Sequence, residues 1–339
     1  MTNTVLLLFL RAMCLSFLFY NIHIKTYHIS IVSTTSNNKT VIQAWILAFR
    51  PRTLFLAAAG VILGSGLAMH VEKFDLATAL LTLTTALLLQ LLSNLANDLG
   101  DYSKGTDRTG ERVGPMRGVQ SGRITPLQMK IGIGITALIT MASGLILLLR
   151  LFYTIGFVAI VLFLIVGFFS LLAALFYTLG NRPYGYIGLG DFFAFLFFGP
   201  IAVIGAYYLQ TQMIDLRAVF PSIGMGLLSS MILNVNNMRD IENDAQSGKR
   251  TIAVRIGLAH AKVYHTVMML LMFACFLIYS FMYANSPWYR FLYILIYLYQ
   301  FVILVEIFKK EGRCLDPYLS KTALSAFLVG IVFSICINV

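Results

Sequence analysis

Eight consecutive residues, Asn94-Leu95-Ala96-Asn97-Asp98-Leu99-Gly100-Asp101, follow a long, mostly apolar run from Leu76 to Leu92. On a helix continued to Asp101, Asn94, Asn97, Asp98 and Asp101 fall at i, i+3, i+4 and i+7, which is one face. Two carboxylates and two amides thus collect at the end of a membrane-length segment. Such groups are costly there and mark function by default. A second apolar run, Val219 to Leu233, leads into Asn236-Asn237-Met238-Arg239-Asp240-Ile241-Glu242-Asn243-Asp244. Here Asn236, Asp240 and Asp244 stand at i, i+4 and i+8. The stretches 98–111 and 240–244 hold seven of the chain's 14 acidic residues. Solvated helix caps would explain one such cluster. Two matching clusters point to a shared site.

Bunched hard oxygen ligands suit Mg²⁺, which prefers octahedral coordination shared among carboxylates, water and phosphate oxygens. Asp98, Asp101, Asp240 and Asp244 are the candidate ligands. Lys and Arg would neutralise the remaining phosphate charge. Arg50, Lys104, Arg117, Arg182, Arg239 and Lys249 are candidates, beside the amides Asn94, Asn97, Asn236 and Asn237. For most single bases the plainer reading is membrane topology. A diphosphate so held is set up to leave, because cations stabilise the charge that develops on it. If it is allylic, it leaves a carbocation, which needs aromatic faces and little water. Tyr177, Tyr184 and Tyr186 lie in a loop near the inferred site, whereas most of the 26 Phe and 17 Tyr serve packing or face lipid. Asp107 lies past Gly105, beyond helix geometry, and is expected to matter less than Asp101.

The elements that must position these groups are membrane helices. The 339 residues are 59% hydrophobic and 12% charged, with mean hydropathy +0.82; a soluble domain carries about 25% charged residues. The fold class expected is all-α and polytopic. Cys14, Cys275, Cys314 and Cys336 are far apart, which argues against a zinc site or a disulfide framework. A net charge of +11 alone would allow nucleic acid, but the bases lie in loops between apolar runs, so no nucleic-acid partner is expected.

Val5 to Tyr20 is apolar but short and broken by Arg11, an extra anchor or an interfacial helix. Residues 21–42 read as a polar lead-in. Trp45 to Arg52 reads as an interfacial helix. Nine apolar segments follow, roughly 53–70, 76–95, 129–149, 152–177, 189–210, 217–236, 262–284, 287–308 and 321–338. With the N-terminus inside, 21 of the 25 Lys and Arg fall on the inner side and four (Lys73, Arg150, Arg217, Arg290) on the outer. That asymmetry places both acidic clusters at the cytoplasmic face. Three inner loops are rich in glycine or bases: 101–126, 177–191 and 240–257.

These residues carry a resemblance. Over roughly 44–338 the chain resembles the UbiA-type intramembrane prenyltransferases. Asn94-x-x-x-Asp98-x-x-Asp101 and Asp240-x-x-x-Asp244 look like that family's two aspartate-rich motifs. Within it, Asn97 to Asp107, Gly114 to Gly118, Gly188 to Asp191 and Asn236 to Asp244 are similar to the menaquinone-pathway branch, whose acceptor is 1,4-dihydroxy-2-naphthoate. The 4-hydroxybenzoate branch tends to have a Tyr-x-x-Lys where this chain has Tyr177-Thr178-Leu179-Gly180. The resemblance implies a bundle of about nine helices with a central cavity, open to the cytoplasm and laterally to lipid, in a bacterial inner membrane. It implies Mg²⁺ as cofactor and a polyprenyl diphosphate as donor, with demethylmenaquinone, diphosphate and CO₂ as products. Residues 44–339 would form that domain and 1–43 an extension without counterpart. Other acceptors remain open within the family. A CDP-alcohol phosphatidyltransferase would need one compact aspartate array rather than two distant ones. A cation transporter would carry its charges near mid-membrane.

Overall fold

The break between the first two helices is set by Arg50 and Pro51. The computed structural model describes residues 37–107, 116–284 and 287–339, with side chains from 41; the segments expected over 5–20 and 21–36, and Glu111, Gly114 and Pro115, lie outside these. Helix α1 (Asn37–Phe49) ends where Arg50 takes a left-handed conformation (φ 47°), and α2 (Pro51–His70) starts with Pro51 in its first turn. Proline disfavours helix in the residue before it and fits a first helical position. The interfacial helix expected over 45–52 therefore begins earlier and stops one residue short of Arg50.

Helix α3 (Leu76–Lys104) is capped by Asp75, whose side chain accepts from Thr78 N, and is ended by left-handed Gly105. It carries the first acidic cluster on continuous helix, as its spacing predicts. Helix α4 (Pro126–Arg150) opens on a reciprocal cap between Thr125 and Gln128. Helix α5 (Phe152–Phe176) is kinked at Gly156, and α6 (Gly190–Leu196) passes through a π turn at Phe197–Ile201, which holds Pro200, into α7 (Ala202–Thr211). Helix α8 (Val219–Arg239) stops at Asp240, whose backbone leaves helical geometry (φ −100°, ψ 14°), and the short α9 (Ile241–Gln246) follows. The second cluster is thus bent around Asp240 rather than strung along one helix, a correction to the i, i+4, i+8 reading. Helices α10 (Ile252–Met282, kinked at Gly257), α11 (Ile294–Phe308) and α12 (Asp316–Asn338) complete the chain.

Among the described residues, nine helical segments are long and apolar enough to cross a membrane. They agree with the nine expected from hydropathy, and the protein is an integral membrane protein. Helices α8 and α10, α2 and α12, α3 and α4, and α2 and α7 are the most extensively packed pairs. Small residues allow this: a Cβ on Gly199 would stand 2.6 Å from Gly226 Cα, so the π turn and α8 touch backbone to backbone. By contrast α4 and α5 turn many large apolar side chains outward, among them Leu138, Leu149, Phe157 and Phe168. In a membrane that surface meets lipid and needs no protein cover.

Candidate active site

One stripe of α3 organises the site. Thr82, Thr85, Ala86, Leu89, Gln90, Ser93, Asn94, Asn97 and Asp101 recur at helical spacing along a cavity of about 1860 Å³. The 19 rises of about 1.5 Å from Thr82 to Asp101 make this stripe about 28 Å long, close to a hydrocarbon core. The far end is apolar, bordered by Leu147, Leu148 and Leu209; partly exposed Met141, Leu145, Leu164 and Phe168 also border it, so it reaches the lipid-facing surface. The near end carries Arg50, Asn97, Asp101, Arg117, Asn236, Arg239 and Lys249. From the second cluster Asn236 and Arg239 thus reach the same mouth as Asn97 and Asp101, whereas Asp240, Asp244 and Asp107 stand outside the lining.

Asp101 is held from two sides. Arg117 Nη1 bonds its Oδ2, and the Tyr186 hydroxyl donates to its Oδ1 at 2.8 Å. The same Arg117 nitrogen reaches Asp107 Oδ2 at 3.0 Å, so the turn after Gly105 folds back and buries Asp107 beside Asp101. Asp98 takes a different place. It is fully buried, does not line the cavity, and accepts from the Gly118 and Val119 amides at 2.9 and 3.3 Å. Its carboxylate anchors the loop that presents Arg117.

In the second cluster Arg239 grips its neighbour Asp240, Nε to Oδ1 at 2.9 Å and Nη2 to Oδ2 at 2.7 Å, and also reaches Asn236 and Asp316. Asp244 Oδ1 lies 3.4 Å from Lys249 Nζ. Burial pushes the Asp244 carboxyl up to about 6, with Asp240 and Asp101 adding and Lys249 opposing. Burial works against the Lys249 ammonium, but the Asp244 and Asp101 carboxylates win and hold it well above its usual range. Among the described residues, Asp244 Oδ2, an acceptor beside Lys249, and Arg117 Nε, a donor at the cavity wall, are buried without a hydrogen-bond partner. Buried polar atoms are nearly always paired, so a spare acceptor and a spare donor fit a cation and an anion together.

Other candidates are distributed as follows. Asn94 lines the cavity and ties α3 to the end of α1 through Phe49 O and to the start of α2 through Thr53 Oγ1, both at 2.8 Å. Asn97 accepts from Thr178 Oγ1 at 3.1 Å. Asn237 turns away to Asp191 Oδ2 at 3.5 Å, and Lys104, outside the cavity, reaches Asn181 O at 3.3 Å. Arg182 is exposed and does not border the cavity. Tyr177 lines it, edge-on to Tyr184 at 5.3 Å; Tyr184 meets Phe193 at 4.3 Å, and Phe193 stacks on Phe197 at 6.0 Å. Burial pushes the Tyr177 phenol up to about 12, so it stays protonated and offers a π face rather than a base. Sequence reasoning did not pick Phe193, Phe197, Arg123 or Asp316 as lining residues. Only the lone acid Asp316, in the first turn of an apolar helix, gave a signal.

The donor set is all oxygen and fits Mg²⁺. Among the described residues, no three acidic, His or Cys side chains already converge as a cage. Mg²⁺ does not need one, since it keeps waters and shares phosphate oxygens.

Residues 53–316 match the model of the UbiA prenyltransferase family. The chain is 40% identical over 301 residues to a 1,4-dihydroxy-2-naphthoate octaprenyltransferase of Escherichia coli (strain K12), covering 86% of this chain and 94% of that one. A protein of the same description from Haemophilus influenzae is 39% identical, covering 87% and 95%. The solved apo structure of a UbiA homolog from Aeropyrum pernix K1 aligns at TM-score 0.61 and 17% identity, covering 84% and 96%. A UbiA homolog from Archaeoglobus fulgidus bound to GPP and Mg²⁺ aligns at TM-score 0.60 and 14% identity, covering 87% and 99%. Those two likenesses speak for the fold; the family match spans more than half the chain, and the chain belongs to the UbiA prenyltransferase family.

Proposed function

We propose that this protein transfers a polyprenyl group from a polyprenyl diphosphate to 1,4-dihydroxy-2-naphthoate, with loss of CO₂, to give demethylmenaquinone. The observation that carries a diphosphate site is a pair of orphaned buried atoms: Arg117 Nε at the polar mouth of a long apolar cavity, and Asp244 Oδ2 beside the Lys249 that lines that mouth. The acceptor rests on similarity to relatives of that activity over nearly their whole length.

Asp101, Asp107, Asp240 and Asp244 would hold Mg²⁺, with Asp98 in a supporting place. Bound there, Mg²⁺ supplies positive charge that stabilises the departing diphosphate. Arg117, Lys249, Arg239 and Arg50 line the mouth and bind phosphate oxygens. Arg117 is the strongest of these, because its Nε is free to donate while Nη1 stays on Asp101 and Asp107. The prenyl tail lies along the α3 stripe toward Leu147 and Leu209. Tyr177, Tyr184 and Phe193 keep water out and turn π faces to the allylic cation. The acceptor's hydroxyls make its ring nucleophilic, and loss of carboxylate and proton restores aromaticity. The 21 to 4 distribution of Lys and Arg supports a cytoplasmic mouth in a bacterial inner membrane.

The decisive experiment gives purified protein Mg²⁺, a labelled polyprenyl diphosphate and competing aromatic acceptors. Prenylated, decarboxylated product from 1,4-dihydroxy-2-naphthoate alone is expected. Preference for 4-hydroxybenzoate or a quinol would overturn the acceptor assignment.

A further inference from the structure

The loop at Tyr184–Ile187 sits between the two acidic clusters and bonds to both sides. Toward the first, the Tyr186 hydroxyl donates to Asp101 Oδ1 at 2.8 Å and lies 2.6 Å from Thr106 Oγ1. Toward the second, Tyr186 O accepts from Arg250 N at 2.9 Å, Ile187 O accepts from Arg255 Nη2 at 2.6 Å, and Lys249 Nζ stands 5.8 Å from the Tyr186 ring centroid. That lysine is the one paired with Asp244. The loop has little room to shift. Gly188 sits at φ +84°, and a Cβ there would come within 2.8 Å of Arg250 O; a Cβ on Gly185 would come within 2.7 Å of Tyr177 O. Tyr186 is not part of the cavity lining and meets it through Asp101 and Lys249, which are.

We propose that Tyr186 is a positioning residue that sets the Asp101 carboxylate in register with Asp244 and Lys249, so that cation and diphosphate are bound by both clusters at once. This rests on the diphosphate reading above. With Thr106 donating to the phenol oxygen, the phenol proton is directed to Asp101 Oδ1, while Arg117 holds Oδ2. The carboxylate cannot rotate, and its remaining lone pairs keep a fixed direction. Without the phenol proton, Arg117 is the one side chain among the described residues that still holds it, and the carboxylate can turn toward that base.

The test is equilibrium binding. Mn²⁺, followed by electron paramagnetic resonance, is titrated into the full-length protein with and without inorganic diphosphate. Wild type is expected to bind Mn²⁺ more tightly with diphosphate present; no diphosphate effect in wild type would overturn the reading on which the proposal rests. Tyr186→Phe keeps the ring and the loop's backbone bonds and removes only the hydroxyl. It is expected to weaken diphosphate-dependent Mn²⁺ binding roughly ten-fold, the scale of one lost hydrogen bond to a charged group. Thr106→Val is expected to weaken it less, and the double variant no more than Tyr186→Phe alone, because Thr106 acts through the phenol. Wild-type binding in a folded Tyr186→Phe protein, or fully additive losses in the double variant, would overturn the proposal.

Discussion

Asp98 and Asp101 are three residues apart on one helix, yet Asp98 is bonded to loop amides and Asp101 to a cation at the cavity wall. The difference separates their variants. Asp101→Asn removes charge from the mouth itself and is expected to cut turnover at least roughly a hundred-fold with the fold intact. Asp98→Asn sets an amide NH₂ against one of two backbone N–H donors. The expected loss is about 1–3 kcal/mol of stability, read as a lower melting temperature. Activity falls as the Arg117 loop loosens, while the Mg²⁺ concentration for half-saturation stays within two- to three-fold of wild type, by roughly the spread of context-dependent effects. A large shift in half-saturation for Asp98→Asn would return it to the metal.

Asp107 now stands beside Asp101 on the same arginine nitrogen. The expectation that it matters less than Asp101 gives way to one of similar weight. Asp107→Asn is expected to lose activity to within roughly ten-fold of Asp101→Asn, since both remove one of two charges shared by one cation. Near-normal turnover in Asp107→Asn would make it a loop anchor.

These two residues also show what was legible in the chain. The nine spans and the meeting of the two clusters follow from apolar length and charge, because lipid leaves backbone few choices. The register inside the first cluster does not. Asn94 and Asp98, and Asn97 and Asp101, share the same spacing. Which carboxylate faces the cavity is decided by the 116–124 loop folding back onto Asp98, a contact across 20 residues. Asp107 lies beyond Gly105, where helical periodicity ends. Asn237 is drawn to Asp191 on another helix. The break at Asp240 had no local sign such as glycine or proline.

The Asp244 carboxyl, pushed up to about 6 mainly by burial, would give a cation bound there a pH limit. A cation needs the ionised form, so a proton competes with it. Apparent Mg²⁺ affinity is expected to be flat above pH 7 and to fall roughly ten-fold per unit below 6. For stability the sign is opposite. The folded value lies above the usual 3.8, so this group stabilises the metal-free protein most below about pH 4, and that contribution is lost as pH rises through 6. Lys249→Met removes the opposing charge and should move the break in Mg²⁺ affinity to higher pH. A break that stays in place in that variant would assign it to another group.

The aromatic wall bears on how the carbon–oxygen bond breaks. Tyr177, Tyr184, Phe193 and Phe197 form a continuous run of ring contacts along the cavity. Tyr177 is held protonated, and none of His70, His260 and His265 lines the cavity. Among the described residues this leaves the rings to stabilise charge rather than take protons. If ionisation precedes attack, fluorine next to the reactive carbon of the donor should slow turnover sharply, because it destabilises an adjacent cation. Tyr177→Phe keeps the π face and should retain activity within roughly ten-fold. Tyr177→Leu removes it and should lose more, on the scale of about 2 kcal/mol for a desolvated cation–π contact. The two perturbations act on one charge, so fluorine should slow the Tyr177→Leu enzyme by a different factor than wild type. A fluorinated donor that reacts at the ordinary rate would mean that the naphthoate ring displaces diphosphate directly, and Tyr177 would then only pack against the tail.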